Sequence, residues 1–110
     1  MDFTRKENTA WLNAKIVSRI EDGKELKTRK SFDDFQALQS YSADVQRWQA
    51  EIAEHLSAAY KDQSVASTLC PPIAEIDLEG NSWAAVIAHL HSQISNTLEN
   101  LGRLETLPGL

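Results

Sequence analysis

The sequence predicts an all-α protein: an antiparallel helical hairpin plus a third long helix, a three-helix bundle with an extended, proline-containing strap between helices two and three. Three observations predict it. Apolar residues recur at alternating spacings of three and four in three separate stretches, the pattern of a helix that packs along one side. Glycine and proline are scarce, four and three in 110 residues, so little interrupts those helices. The one stretch of strict apolar–polar alternation is short and has no second strand to pair with.

Helix one is expected over residues 8–27. Thr4 and Glu7 have capping-box spacing, and Asn8 or Thr9 could also cap. Trp11, Leu12, Ile16, Val17, Ile20 and Leu26 follow at helical spacing. Gly23 lies inside, at a cost of about 1 kcal/mol relative to Ala; it either admits a close neighbouring helix or marks fraying. Lys24, Lys27, Arg29 and Lys30 crowd the C-terminal end, where the helix dipole favours cations.

Helix two is expected over residues 32–60, with Ser31 as its N-cap and Asp34 placed to reach back. Its seam reads Leu38, Tyr41, Val45, Trp48, Ile52, His55 and Ala59, widened by Phe32, Phe35 and Leu56. Such a helix is about eight turns long, roughly 43 Å. The join to helix one is a few residues, which turns the chain back on itself into an antiparallel pair.

Lys61 to Ser64 is a polar break, and Val65 to Leu69 could add one short turn before Cys70-Pro71-Pro72 ends any helix. Ala74, Ile76 and Leu78 then alternate with Glu75, Asp77 and Glu79, an extended strap across the helices or an edge that pairs with another chain. Gly80-Asn81-Ser82 supplies a turn and an N-cap. Helix three is expected over 83–105, with Trp83, Ile87, Leu90, Ile94, Thr97, Leu101 and Leu104 as its seam, Val86 and Leu98 adding width, and Leu107-Pro108-Gly109 as its stop.

A chain of this length is one domain, 1–110, able to bury roughly two thirds of its unfolded surface. One cysteine, Cys70, makes no internal disulfide, the N-terminus is polar and charged, and no apolar run approaches the length of a membrane span. The expected location is therefore cytoplasmic. Net charge is −5, unevenly spread: residues 1–30 hold eight Lys/Arg against five Asp/Glu, and residues 31–110 hold three against eleven. An acidic bulk speaks against nucleic-acid binding by the whole surface.

Chemistry-bearing patterns are thin. His89 and His91, two apart on a helix, point to nearly opposite sides and cannot share a metal; Glu51 and His55 could both ligate, but His55 sits in a packing seam. No Glu-x-x-His pair of the di-iron kind is present, no Gly-rich phosphate loop, and no G-x-S-x-G. Cys70 has neither a nearby base nor a helix N-terminus to activate it. No enzyme, cofactor or metal is expected. Trp11, Trp48 and Trp83, one on each helix, are core residues or contact residues for another protein.

Several runs carry a family resemblance: Trp11-Leu12, Ile20-Glu21-Asp22-Gly23-Lys24-Glu25-Leu26, Ser31-Phe32-Asp33-Asp34-Phe35, Val45-Gln46-Arg47-Trp48, and the ending from Leu98 to Pro108. Together they resemble the helical N-terminal region found in front of bacterial TIR-type and related nucleotide-binding effector domains of phage defence. In that family the catalytic or nucleotide-binding part lies downstream, so no catalytic residue carries over. The resemblance implies a bacterial setting and a sensing, scaffolding or oligomerising role.

The expected function is thus a non-catalytic helical interaction or oligomerisation module. Leu38, Tyr41, Val45, Trp48, Ile52, Leu56, Ile87, Leu90, Ile94 and Leu101 are its expected packing or interface residues. A homodimer is expected through helices two and three, because a shorter helix one leaves the end of helix two near Ile52, Leu56 and Tyr60 to be covered by something else. The alternatives are a small nucleic-acid-associated regulator using Lys24, Lys27, Arg29 and Lys30, or an accessory enzyme subunit whose site a partner completes.

Overall fold

The computed structural model describes residues 4–73 and 76–104. Helices make up its regular structure: α1 (Trp11–Leu26), α2 (Phe35–Ala59), α3 (Ser64–Leu69) and α4 (Trp83–Leu104), with no strand among the described residues. The fold is therefore all-α. The short turn expected at Val65–Leu69 is a helix in its own right, so the described residues hold four helices rather than three. The end of helix three beyond Leu104, its proline stop, and Ala74 and Glu75 of the alternating stretch lie outside the described residues.

Helices α1 and α2 each begin three residues later than the sequence suggests, each for a local reason. Asn8 has a positive φ of 60°, a left-handed conformation that cannot open a right-handed helix. The Thr9 hydroxyl bonds back to the Lys6 carbonyl instead of capping, and the cap position falls to Ala10, with no side-chain bond. Thr4 and Glu7, with capping-box spacing, lie ahead of the observed cap of α1 at Ala10, and the segment Thr4–Lys6 has another place. It runs as an extended strip beside the end of α2: Arg5 bridges Tyr60, Lys6 N–H donates to the Ala59 carbonyl (2.7 Å), and Lys61 N–H donates to that of Thr4 (3.0 Å). At α2 the cap is Asp34, not Ser31. Its backbone is extended and its carboxylate accepts from Ala37 N–H at 2.8 Å. Ser82 caps α4 as expected, accepting from Ala85 N–H at 3.2 Å.

The α2 seam supplies the centre of the core. Leu38, Tyr41, Val45, Trp48, Ile52, Leu56 and Ala59 are all buried, and α2 touches each of the other helices. At 25 residues it is about 38 Å long and sets the long dimension of a 46 × 22 × 19 Å molecule. Buried polar groups anchor its neighbours. Trp48 Nε1–H donates to the Arg19 carbonyl (2.7 Å) and Tyr41 O–H to that of Leu26 (2.8 Å), one of the last carbonyls of α1 that the helix itself leaves unpaired. Gln49 Nε2 reaches the carbonyls of Cys70 (2.7 Å) and Pro71, and Asn100 Nδ2 that of Leu69 (3.1 Å), so α2 and α4 both hold the end of α3.

Gly23 is buried where α1, α2 and α4 meet. A Cβ there would lie 2.5 Å from Trp48 Cζ2 and 3.0 Å from Leu98 Cδ2. Of the two readings for this glycine, close approach is the one the packing supports.

The seam of α4 is rotated from the expected one at its N-terminal end. Val86, Leu90, Ile94, Thr97 and Leu101 are buried, whereas Ile87 is half-buried and Trp83 is 38% exposed. Ile73, Ile76 and Leu78 lie half-buried against the core, and Asp77 and Glu79 point outward. A turn at Leu78–Gly80 ends any extended run there, with Glu79 N–H bonded to the Asp77 carboxylate (3.0 Å).

Candidate functional site

The rotation of α4 matters because of what it leaves outside. Trp83, Ala84, Ile87 and Ala88 form one wall of an open groove of about 540 Å³, and Lys30, Ser31 and Phe32 of the α1–α2 connection form the other, with His91 at one end. The aromatic packing beneath is firm. The Phe32 ring lies 4.9 Å from that of Tyr41, and His91 meets Tyr41 edge-on at 6.2 Å. His91 Nε2 lies 2.8 Å from the Arg29 carbonyl; a carbonyl only accepts, so Nε2 donates. Among the described residues, Lys30 is the one Lys, Arg, Asp or Glu lining this groove. A second hollow of about 490 Å³ adjoins it, sharing Lys30, Ser31 and Phe32 and adding Thr28, Arg29, Asp33, Ala37 and Ser40. The Lys30–Phe32 strip is the wall common to both.

The expected packing residues fall almost wholly inside. Leu38, Tyr41, Val45, Trp48, Ile52, Leu56, Leu90, Ile94 and Leu101 are buried within the single chain, and Ile87 alone reaches the groove. The chain itself covers the C-terminal end of α2. Ile52, Leu56 and Tyr60 are 0%, 0% and 1% exposed within the single chain, with the Thr4–Lys6 strip paired to Ala59–Lys61.

The four basic candidates do not form one patch. Lys24 Nζ is 3.5 Å from Glu21, and Arg29 is 3.2 Å from Asp44, which Arg47 also approaches at 3.9 Å. Lys27 is half-buried, and Lys30 belongs to the apolar groove. Between α1 and α2 runs a third depression, about 320 Å³, lined by Arg19, Arg29 and Arg47 together with Asp22, Glu25, Asp44 and Glu51. Arg19 bonds Asp22 (3.0 Å) and reaches Glu51 (3.1 Å). Three guanidiniums face four carboxylates there, an excess of one negative charge.

The remaining reactive side chains are quiet. Among the described residues no three His, Cys, Asp or Glu side chains converge as a metal site would require. Cys70 is buried, its Sγ–H donates to the Gln49 carbonyl (3.3 Å), and burial pushes the thiol up to about 12. Burial likewise raises Tyr41 to about 12, with Arg29 pulling the other way. His55 packs edge-on against Trp11 (6.2 Å), and its Nε2 is buried without a hydrogen bond. Burial, then the positive charges of Arg19 and Lys15, hold it below the usual histidine range, against the opposing pull of Glu54 and Glu51.

Two other large apolar side chains are exposed, Trp11 at 39% and Val17 at 56%. They stand among Asn13, Lys15, Ser18 and Glu21, and isolated apolar residues of this kind are ordinary on a protein surface. No helix of the described residues is long and apolar enough to cross a membrane. Comparison of the chain with protein-family models, curated proteins and solved structures finds no match.

Proposed function

We propose that this chain is a non-catalytic helical interaction module whose contact surface is the Phe32–Trp83–Ile87 groove. The observation that carries the reading is Trp83. A tryptophan on an amphipathic helix stands 38% exposed beside half-buried Phe32 and Ile87, and small Ala84 and Ala88 line the same groove. Aromatic anchors beside small residues, with one flanking charge, suit a protein contact. The presenting scaffold is read as an antiparallel α1–α2 hairpin with α4 laid along it and residues 71–79 strapped across. Support comes from the contacts Leu26–Tyr41, Arg19–Trp48 and Trp11–His55, in which numbers fall along α1 as they rise along α2. The resemblance to the region preceding bacterial defence effector domains fits an assembly role of this kind.

The test separates a contact surface from ordinary core. In Trp83→Gln/Ala88→Ser, the denaturant midpoint should stay within about 0.5 kcal/mol of wild type, as for surface positions. The native wild type should enhance the emission of an anionic apolar dye such as anilinonaphthalene sulfonate, and the variant should not. A stability loss above about 2 kcal/mol would place the groove in the folding core, and dye binding indifferent to the substitutions would place the contact surface elsewhere.

A further inference from the structure

The wall shared by the groove and the adjoining hollow carries an untied hydroxyl. Ser31 lines both, and because Asp34 caps α2, Ser31 has no capping bond to make. Its side chain is exposed and has no hydrogen-bond partner among the described residues. By contrast, the Thr9 and Thr28 hydroxyls bond back to the Lys6 and Glu25 carbonyls, and that of Ser82 accepts from Ala85 N–H. The backbone is irregular here as well. Among the described residues, the N–H groups of Lys30 to Asp33 donate to no backbone carbonyl, so the strip can lie extended in a partner's cleft without first breaking a helix. Charge runs one way across it: Lys27, Arg29 and Lys30 precede Ser31, and Asp33 and Asp34 follow. Arg29 holds Asp44 at 3.2 Å, but an exposed pair of this kind contributes little and is readily exchanged for another carboxylate.

We propose that Ser31 is a phosphate acceptor for a serine kinase whose peptide channel carries carboxylates opposite the residues that precede the acceptor. In the step, Ser31 Oγ attacks the γ-phosphorus of a nucleoside triphosphate held by the kinase. The bond from that phosphorus to the bridging oxygen breaks, the nucleoside diphosphate leaves, and the hydroxyl proton passes to the kinase's base. The Arg29 guanidinium and Lys30 ammonium pair with the channel's carboxylates and set the register. The product puts a charge of about −1.5 to −2 on the wall of a groove where Lys30 is the one Lys, Arg, Asp or Glu among the described residues. Phosphorylation thus turns the groove anionic and closes it to acidic partners. That effect on docking rests on the interaction reading above; the acceptor site does not.

The test incubates the intact chain with a purified basophilic serine kinase and magnesium ATP. The wild type should gain about 80 Da, located to Ser31 by tandem mass spectrometry, and Ser31→Ala should gain nothing. Arg29→Ala/Lys30→Ala should lower kcat/KM by about tenfold or more, through the loss of charge-assisted contacts with the kinase. Circular dichroism matching the wild type confirms that each variant is folded. A wild type that stays unmodified while the kinase labels its reference peptide overturns the proposal. So does a phosphate on another residue in place of Ser31, or a rate indifferent to the loss of both cations. The phosphorylated wild type should bind anilinonaphthalene sulfonate about tenfold more weakly than the unmodified chain, because like charges then meet in the groove. Equal dye binding by the two forms overturns the effect on docking. A dye that the unmodified chain does not bind overturns the interaction reading and that effect with it, while the mass measurement still decides the acceptor site.

Discussion

Adding a single methyl group at Gly23 should destabilise the protein, although in an isolated helix it would stabilise. Carbon atoms pack best about 3.5–4.0 Å apart. The new Cβ would lie 2.5 Å from Trp48 Cζ2, 3.1 Å from Trp48 Cε2 and 3.0 Å from Leu98 Cδ2. Leu98 is half-buried and its terminal methyl can turn away. Trp48 cannot move so easily: the residue is 4% exposed and its ring is pinned by the 2.7 Å bond from Nε1–H to the Arg19 carbonyl, on the same helix as Gly23. Overpacking costs about 1–3 kcal/mol, and losing the indole bond adds about 0.5–1.5. Against this, replacing a helical glycine by alanine gains about 1 kcal/mol of helix propensity. The net expectation for Gly23→Ala is a loss of about 1–3 kcal/mol, read from urea denaturation followed by tryptophan fluorescence. Gly102→Ala is the internal control. It sits exposed on α4 with nothing within 4 Å of its Cβ position, so it should gain up to about 1 kcal/mol. Combining Gly23→Ala with Trp48→Phe should cost less than the sum of the two, because the smaller ring makes room. If Gly23→Ala is as stable as the wild type, or gains like Gly102→Ala, the three-helix contact at Gly23 is looser than described and the reasoning fails.

Trp48→Ala should cost about 3–5 kcal/mol, the usual penalty for removing a buried large aromatic; an unchanged denaturant midpoint would contradict its place in the core. Because His55 is held below its ordinary range in the fold, it contributes its full stability above about pH 6.5 and loses it as the pH falls through and below that value, where the unfolded chain takes up the proton more readily. The wild type should therefore lose more stability than His55→Gln between about pH 8 and 5, and parallel declines in the two proteins would remove His55 as the cause. Cys70, buried and with its thiol raised to about 12, should resist iodoacetamide in the native protein and react once the chain is unfolded. Rapid native alkylation would show that the Cys70–Gln49 region opens.

Much of this fold is legible in the sequence where periodicity and burial coincide. The α2 seam reads correctly because one residue in every three or four faces helices on several sides, so nearly every apolar seam position is buried. Helix starts read less well. Ser31, Asp33 and Asp34 are all sound caps by type, and only the extended backbone at Asp34 decides among them. Apolar spacing also fails to say which way a helix faces when residues lie on two sides. On α1 the buried stripe is Leu12, Ile16 and Gly23, while Trp11 and Val17 point out; the glycine marked that stripe but carries no hydropathy to be counted. On α4 the seam through Trp83 and Ile87 fits the spacing as well as the one through Val86 and Leu90, and contact with α2 selects the second. The candidate groove arises from that choice. It joins residues some fifty positions apart, and no local pattern announces it. The pairing at the far end of α2 is equally non-local: Thr4–Lys6 is polar and reads as part of a cap, yet it pairs with Ala59–Lys61 through backbone hydrogen bonds that any sequence could make.

The three indole groups allow the contact surface to be located directly. Heteronuclear NMR of the nitrogen-15-labelled wild type, titrated with anilinonaphthalene sulfonate, reports each indole N–H separately. Trp83 lines the proposed surface, Trp11 stands exposed on another helix beside His55, and Trp48 is buried. The predicted result is a dye-dependent shift of the Trp83 indole together with the amides of Lys30–Phe32, Ala84, Ile87 and Ala88, with Trp11 and Val17 unmoved. Shifts centred on Trp11 and Val17, or none at all around Trp83 over the whole range, would contradict it.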